Sequence, residues 1–190
     1  MRVVYLARHG ETDWNAAGRW QGHTDIPLND TGREQARALA AVLQPRGLRS
    51  VVASDLSRAH ETARIVATSL GIEVAYVDEA LRERRFGVFE GLTRTECEAQ
   101  HGEAWQAWLD HKRTPGGGET QDALAARMLA AFERVAVSLA RDDAPALVVT
   151  HGGSLRALVA AATGHMPQMV KNGEVWMLGW EGRIVEARPV

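Results

Sequence analysis

The chain has 190 residues, of which 45% are hydrophobic and 24% are charged, proportions typical of one globular domain that buries a sizeable core. Its 22 Lys and Arg residues nearly balance 24 Asp and Glu residues, and the net charge of −2 excludes a general basic field that would attract nucleic acid or an anionic membrane. The single Cys97 excludes an internal disulfide and a CxxC site, and no apolar run has the length of a secretory signal or a membrane span. We therefore expect a cytoplasmic protein with no nucleic-acid and no membrane partner.

The first 77 residues alternate short apolar runs with helical patterns. Residues 3–7 (VVYLA) predict a buried strand, and residues 50–54 and 72–77 predict two more. Residues 31–34 (TGRE) have the spacing of a capping box, which predicts the start of a helix that ends before Gly47. A second amphipathic helix follows residue 54 and ends at Gly71.

The rest of the chain begins with an irregular stretch and then returns to the same alternation. Residues 78–119 show no clear period and predict a partly helical insertion that covers a site and ends in a flexible loop at 115–118 (PGGG). Helical spacing returns over residues 120–141, Asp142 and Asp143 predict a turn, and residues 146–150 (ALVVT) predict a fourth strand. A helix that ends at Gly164 and a hairpin over residues 174–187 complete the pattern.

Strands that alternate with helices predict an α/β fold, a three-layer α/β/α sandwich with a mainly parallel mixed sheet and right-handed crossovers. We expect one domain over residues 1–190, with a small helical lid insertion at about residues 84–118. Ligands bind such folds beyond the carboxyl ends of the strands. The polar tripeptides that start at Arg8 and His151 follow two predicted strand ends, and Arg58 lies just after a third. We therefore expect these segments to meet at one edge of the sheet.

Two histidines and two arginines at one edge predict a phosphate site. A guanidinium matches phosphate oxygens bidentately, so Arg8 and Arg58 together can hold a phosphoryl group in one orientation. Nearby cations disfavour protonation of an imidazole, which leaves His9 a lone pair with which to attack phosphorus and form a phosphohistidine. His151 can donate to the phosphoryl oxygens, and the amides at Gly10 and at the helix start after His151 add further donors.

A leaving alkoxide needs a proton, and a carboxylic acid beside the phosphate can supply it and later activate the attacking water. Glu83, at the entrance to the predicted insertion, is our candidate. The alternative for Glu83 is a place in the solvated charge cluster that it forms with its Arg neighbours at 82, 84 and 85.

Five ordered blocks resemble the histidine phosphatase superfamily, also called phosphoglycerate mutase-like, over nearly the whole chain. They are RHGET at 8–12 with Asn15, Gly22, Pro27 and Leu28; SDLSRA at 54–59 with Glu61-Thr62-Ala63; Leu81-Arg82-Glu83 with Phe86-Gly87 and Glu90-Gly91; Gly117-Gly118-Glu119; and Thr150-His151-Gly152-Gly153. The resemblance implies that His9 is the phosphorylated nucleophile and that Arg8, Arg58 and His151 complete the phosphate pocket, with Glu83 as the proton donor. It also implies substrate or phosphate contacts by Asn15, Gln21, Gly22 and Gly152, in addition to the Gly10 amide.

The family contains both phosphatases and cofactor-dependent phosphoglycerate mutases, and the sequence favours a phosphatase. Family mutases carry a longer insertion with added Lys and Arg, whereas residues 91–118 hold only Arg94, Lys112 and Arg113. The chain looks most like α-ribazole and broad-specificity phosphatases. Its similarity to glucosyl-3-phosphoglycerate and phosphoserine phosphatases leaves those two activities open as well. We expect hydrolysis of a small phosphorylated metabolite without metal or other cofactor. Mutase activity and a non-catalytic phospho-ligand binding module are the alternatives.

The remaining histidines and tryptophans carry weaker hypotheses. His23 lies beside Gly22 and is a possible substrate contact, and the seven histidines show no HxH or HExxH spacing of a metal site. Trp105 and Trp108 either line a lid over the substrate or pack the insertion onto the domain. We expect a monomer or a homodimer, in which Trp176 and Trp180 of the hairpin supply a dimer edge.

Overall fold

A six-stranded mixed sheet forms the centre of the molecule. The computed structural model describes residues 1–139 and 144–190. The strands are β1 (Arg2–Arg8), β2 (Ser50–Ala53), β3 (Val74–Val77), β4 (Ala146–Thr150), β5 (Val175–Trp180) and β6 (Ile184–Pro189). Their order across the sheet is β3-β2-β4-β1-β5-β6. The first four strands in chain order pair in parallel, and β5 and β6 add an antiparallel hairpin at one edge.

Helices cover both faces of this sheet. They are α1 (Asp13–Ala16), α2 (Asp30–Leu43), α3 (Ser57–Leu70), α4 (Arg94–Leu109), α5 (Gln121–Ser138) and α6 (Gly152–Thr163). Successive strand side chains point to opposite faces, so Val4 and Leu6 of β1 pack with α5 and α6, whereas Tyr5 and Ala7 pack with α2 and α3. The predicted three-layer α/β sandwich is confirmed. Two apolar layers thereby fix the carboxyl ends of β1, β2 and β4 beside one another.

One detail of the prediction is wrong. Helix α2 begins one residue before Thr31, because the Asn29 side chain accepts a hydrogen bond from the Gly32 amide at 2.8 Å and acts as the N-cap. The hairpin exists as predicted, but Trp180 is only 7% exposed, and its ring packs on Phe132 of α5 at 5.9 Å between centroids. This side chain belongs to the core, and the dimer edge that we expect from the hairpin stays a prediction.

The insertion between β3 and α5 combines short 3-10 turns with one longer helix. The turns cover Glu79–Leu81 and Gly87–Phe89, and α4 is interrupted at His101, where the backbone leaves helical geometry. An aromatic cluster holds the insertion together: Trp105 stacks on Trp108 at 5.1 Å between centroids, and Trp20 from the N-terminal part meets both rings. Packing of the insertion onto the body therefore accounts for the two insertion tryptophans, and Trp108 also borders the cavity described below.

Helix α5 ends at Ser138, and the predicted turn at Asp142 and Asp143 lies outside the described residues. In the part of the chain that the structure describes, no helix has both the length and the apolar character that crossing a membrane requires.

Candidate active site

The two histidines meet because they follow neighbouring parallel strands. Arg8 at the end of β1 stands opposite Thr150 at the end of β4, and the His9 amide donates to the Thr150 carbonyl at 2.9 Å. The two imidazole rings lie edge to face, with 5.0 Å between their centroids. Residues separated by more than 140 positions in sequence are therefore in direct contact.

The imidazole of His9 is held in one orientation and is almost fully buried. Its Nδ1 contacts the Gly10 carbonyl at 2.6 Å, and since a carbonyl only accepts, Nδ1 carries the proton and Nε2 keeps its lone pair. Burial is the largest cause that lowers the pKa of His9 well below its usual value, and the positive charges of Arg58 and Arg8 lower that pKa further. The ring is consequently neutral at pH 7 and has a free basic nitrogen.

His151 is equally buried and is oriented by a serine. Its Nε2 lies 2.9 Å from the Ser54 hydroxyl, whereas its Nδ1 has no hydrogen-bond partner within the described residues. The pKa of His151 is also lowered well below its usual value, first by burial and then by the charges of Arg58 and its neighbours. Buried polar atoms in folded proteins nearly always have a hydrogen-bond partner, so this unpartnered imidazole nitrogen indicates a place where a ligand binds.

The guanidinium of Arg58 is fully buried and that of Arg8 is half-buried, and both lie beside these rings without a carboxylate partner among the described residues. Arg8 donates through Nη1 to the Val170 carbonyl at 2.7 Å, and Arg58 donates to the carbonyls of Thr24 and Gly22 at 3.0 and 2.9 Å. The Nε atoms of both arginines have no partner in the part of the chain described. Burial lowers the pKa of Arg58 to about 10, so the group stays charged at neutral pH. Backbone carbonyls fix these cations but leave their charge available to an anion.

Glu83 lies in the insertion between the two 3-10 turns, and its carboxylate contacts the first residues of α6. Its carboxylate accepts hydrogen bonds from the Gly153 amide at 2.9 Å, from the Arg84 amide at 2.7 Å and from the Ser154 hydroxyl at 3.3 Å. Its charge also acts on the guanidiniums of Arg8 and Arg58. The carboxyl group is therefore held in place next to the cationic pocket.

A salt bridge behind Glu83 is a feature that sequence reasoning missed. Arg127 of α5 donates to the carbonyls of Ala80, Arg82 and Glu83 at 2.9, 2.6 and 2.8 Å, and pairs with both carboxylate oxygens of Glu119 at 2.7 and 2.8 Å. The Arg127 side chain thus fixes the backbone at and just before Glu83. The Gly117-Gly118-Glu119 block carried part of this signal, but nothing in the pattern marked Arg127 among the other arginines.

Four of the residues assigned to substrate contact lie in different surroundings. Asn15 borders the open cavity, and its Oδ1 accepts hydrogen bonds from Thr12 and Asn172. Gln21 is buried, with no partner for its Oε1 among the described residues, and Gly22 supplies a carbonyl to Arg58. Gly152 packs against Arg8, where an added Cβ would come within 3.2 Å of the guanidinium stem.

The geometry differs from expectation for Gly10 and His23. The Gly10 amide already donates to the Thr62 hydroxyl at 3.1 Å, so it is not a free anion donor. The Nε2 of His23 lies 2.9 Å from the Glu83 carbonyl, and His23 does not line the open cavity. Burial is the main cause that lowers the pKa of His23, so its ring is a neutral donor to the same backbone that Arg127 holds. Neither residue lines the open cavity, and their contact with substrate stays a prediction.

A cavity of about 1130 Å³ opens in front of these groups, large enough for a metabolite of substantial size. Of the expected site residues, Arg8, Asn15, Glu83 and Gly152 line it, while His9, Arg58 and His151 lie behind them in the protein. The outer wall combines aromatic and basic side chains: Trp20, Phe86, Trp108, Arg84, Arg113 and Arg156. Over the described residues, no three His, Cys, Asp or Glu side chains are grouped so as to hold a metal ion.

Comparison with known proteins places this geometry in a family. The model of the histidine phosphatase superfamily (branch 1) matches residues 4–183. The chain belongs to this superfamily.

Similar members of the histidine phosphatase superfamily include named phosphatases. A glucosyl-3-phosphoglycerate phosphatase of Mycolicibacterium vanbaalenii is 39% identical over 86% of this chain and 75% of its own. A metal-independent phosphoserine phosphatase of Arabidopsis thaliana is 41% identical over 84% of this chain and 68% of its own. A solved mycobacterial glucosyl-3-phosphoglycerate phosphatase in complex with VO3 superimposes with a TM-score of 0.87 at 33% identity, over 100% of this chain and 97% of that one.

The superfamily membership that the sequence blocks implied is thus confirmed, as is the expectation of a phosphomonoester hydrolase. The roles of individual residues do not follow from membership alone. They are argued below from the contacts of this chain.

Proposed function

We propose that this enzyme hydrolyses phosphomonoesters of small metabolites through a phosphohistidine formed on His9. One observation carries the proposal: a buried, neutral imidazole with a free Nε2 lies next to two charged guanidiniums that have no carboxylate partner among the described residues. A dianionic phosphoryl group would neutralise the guanidiniums and bring phosphorus to the lone pair.

In the first step the Nε2 lone pair of His9 forms a bond to phosphorus while the bond from phosphorus to the ester oxygen breaks. The leaving oxygen takes a proton from the carboxyl group of Glu83. Arg8, Arg58 and the His151 Nδ1 donate to the three remaining oxygens, whose charge is stabilised in a site with little water.

In the second step water attacks the phosphohistidine. The carboxylate of Glu83 takes a proton from this water, the bond from nitrogen to phosphorus breaks, and inorganic phosphate leaves with His9 neutral again. No step needs a metal ion or another cofactor. Among similar proteins, those named for glucosyl-3-phosphoglycerate and for phosphoserine support a small phosphorylated metabolite as the substrate here.

Replacement of the nucleophile tests the proposal. The His9→Ala variant should lose hydrolysis of p-nitrophenyl phosphate by at least about a thousandfold in kcat, while its circular dichroism spectrum stays that of the folded protein. The unsubstituted protein should keep its rate in EDTA and, after a short reaction with a labelled ester, carry an acid-labile phosphoryl group that the variant lacks.

Substantial turnover by His9→Ala, or loss of activity in EDTA, would contradict the mechanism. Fast interconversion of monophosphoglycerates with a bisphosphoglycerate primer, with little free phosphate, would favour the mutase alternative. Phosphate binding by the intact protein without any phosphoenzyme would favour the binding module.

A further inference from the structure

A short loop, residues 22–24, holds the fully buried guanidinium of Arg58. The guanidinium donates to the carbonyls of Gly22 and Thr24, and its Nε has no partner in the part of the chain described. The direction in which Arg58 points therefore depends on where two backbone carbonyls lie. Any group that fixes the 22–24 loop also fixes a cation of the phosphate pocket.

The carboxylate of Glu90 binds this loop. Its Oε2 accepts hydrogen bonds from the Thr24 amide at 3.0 Å and from the Thr24 hydroxyl at 2.8 Å. Its Oε1 accepts from the His23 amide at 3.2 Å and from the Phe86 amide at 3.0 Å. Hydrogen bonds to a charged acceptor are roughly twice as strong as those between neutral groups. Glu90, which directly follows a 3-10 turn of the insertion, thus ties the insertion to the loop.

Gly22 allows the carboxylate to approach the loop this closely. Its φ is +54°, in the left-handed region that glycine adopts readily, and an added Cβ would overlap the Glu90 carboxylate. The backbone of the loop is therefore shaped to the side chain of Glu90 at the same residue whose carbonyl receives Arg58.

Glu90 acts on the phosphate pocket from behind. It is half-buried, and neither Glu90 nor the 22–24 loop lines the open cavity. An effect of Glu90 on a bound phosphoryl group must therefore pass through the loop carbonyls and Arg58, or through its charge alone.

A neighbouring carboxylate separates these two routes. Burial lowers the pKa of Arg58 to about 10, and of the carboxylates that act against this, Asp25 has a larger effect than Glu90. The Oδ1 of Asp25 accepts from the amide and the hydroxyl of Ser57, both at 2.8 Å. Asparagine keeps this oxygen and loses the charge, so Asp25→Asn is a matched control for the electrostatic route.

We propose that Glu90 is a positioning residue for Arg58. Its carboxylate holds the 22–24 loop so that the loop carbonyls direct the guanidinium into the phosphate pocket. The inference rests on the proposed function, since it assigns a further residue to the same site. A guanidinium binds phosphate oxygens in a fixed fork geometry, so a small displacement of the loop weakens binding although Arg58 itself is intact.

Calorimetric binding of orthovanadate, an analogue of phosphate, tests this inference without turnover. Glu90→Gln keeps the size of the side chain but turns one acceptor into a donor that faces a backbone amide, and Glu90→Asp keeps the charge but shortens the reach. Both should weaken orthovanadate binding about tenfold, the usual size of a charge-assisted hydrogen bond. Asp25→Asn should stay within about twofold of the unsubstituted protein.

Circular dichroism checks that each variant is folded. Thr24→Val is the mildest change, because it removes only the hydroxyl that donates to Glu90, and it carries the test if the Glu90 variants do not fold. It should weaken orthovanadate binding about threefold, the size of one ordinary hydrogen bond.

A double-mutant cycle distinguishes positioning from a general loss of structure. Arg58→Gln alone should weaken orthovanadate binding at least about tenfold. Glu90→Gln added to Arg58→Gln should cause no further loss, because the residue through which Glu90 acts is then gone.

Losses that multiply in this cycle would overturn the inference, as would unchanged orthovanadate binding in the folded variants. An equal loss in Asp25→Asn would assign the effect to charge and would also overturn it. A failure of the proposed function would look different. The unsubstituted protein would then bind orthovanadate without hydrolysing p-nitrophenyl phosphate, and the binding cycle would still decide on Glu90.

Discussion

At the scale of single residues, the site depends on groups that never face the cavity. Ser54 orients His151, the Thr62 hydroxyl accepts a hydrogen bond from the Gly10 amide, and Arg127 fixes the backbone of Glu83. The catalytic roles stay predictions, but the proximity of Arg8, His9, Arg58 and His151 was predictable from the sequence, because each of these residues follows the end of a predicted strand. The supporting contacts were not, since a serine or an arginine acquires its role only from the partner that folding brings to it.

Arg127 should act as a positioning residue for the proton donor. We expect Arg127→Met to lower kcat for alkyl phosphates on the order of tenfold while p-nitrophenyl phosphate hydrolysis falls much less, because nitrophenolate leaves without a proton and an alkoxide does not. The measurement is kcat over a series of esters of graded leaving-group pKa.

Arg134→Met is the matched control, because Arg134 lies on the same helix and pairs with Asp78, and neither residue lines the cavity. It should lower all rates equally or not at all. A uniform loss across the series for Arg127→Met would show that Arg127 serves only stability.

At the scale of elements, the entrance to the insertion is fixed by close backbone contact. Gly87 has a φ of +57°, and an added Cβ would overlap the Gly116 carbonyl. The Val88 amide also donates to this carbonyl at 3.0 Å. The sequence predicted the strands and long helices of the body well, since each has one strongly periodic face. It left the insertion vague because aromatic contacts between Trp20, Trp105 and Trp108 join distant segments that have no period of their own.

Gly87→Ala separates close packing from backbone strain. It should reduce the free energy of unfolding by about 1 kcal/mol for the left-handed conformation and by a further 1–3 kcal/mol or so for the overlap with the loop at residue 116. The measurement is urea unfolding at pH 7.5.

Gly71→Ala is the matched control, because Gly71 has a φ of +67° and no atom within 4 Å of an added Cβ. This variant should lose only the part of the free energy of unfolding that the left-handed conformation costs. Equal losses in the two variants would contradict a packing role for Gly87.

At the scale of the whole molecule, the fold buries the uncharged rings of His9 and His151 at the carboxyl ends of the central strands, next to the cations Arg8 and Arg58. The lowered pKa of His9 and of His151 both arise mainly from burial, so in the folded state neither ring takes up a proton near pH 6. The α/β class was predictable from the sequence because strand and helix alternate. The depth of burial was not, because it depends on how the insertion and the helices close around the edge.

Stability should therefore fall as the pH drops below about 6.5, the pKa of histidine in an unfolded chain. Below that pH the unfolded state binds protons that the folded state refuses, so each ring lowers the free energy of unfolding by up to about 1.4 kcal/mol per pH unit. Urea unfolding at several pH values between 7.5 and 5 measures this slope.

Carboxylates contribute to the same slope, so the informative quantity is the difference from a variant. The double substitution His9→Gln and His151→Gln should make the slope shallower by up to about two protons. An unchanged slope would mean that both rings already protonate in the folded protein.

The hydrogen bonds on the backbone of His9 tie it to segments that are distant along the chain. The carbonyl of His9 accepts from the amide of Gly173 and from the side chain of Asn172, while its amide donates to the carbonyl of Thr150. Because all three partners lie more than 140 positions away in sequence, a proteolytic cut that released residues 172 and 173 would loosen the backbone at His9 without touching the segment that carries it.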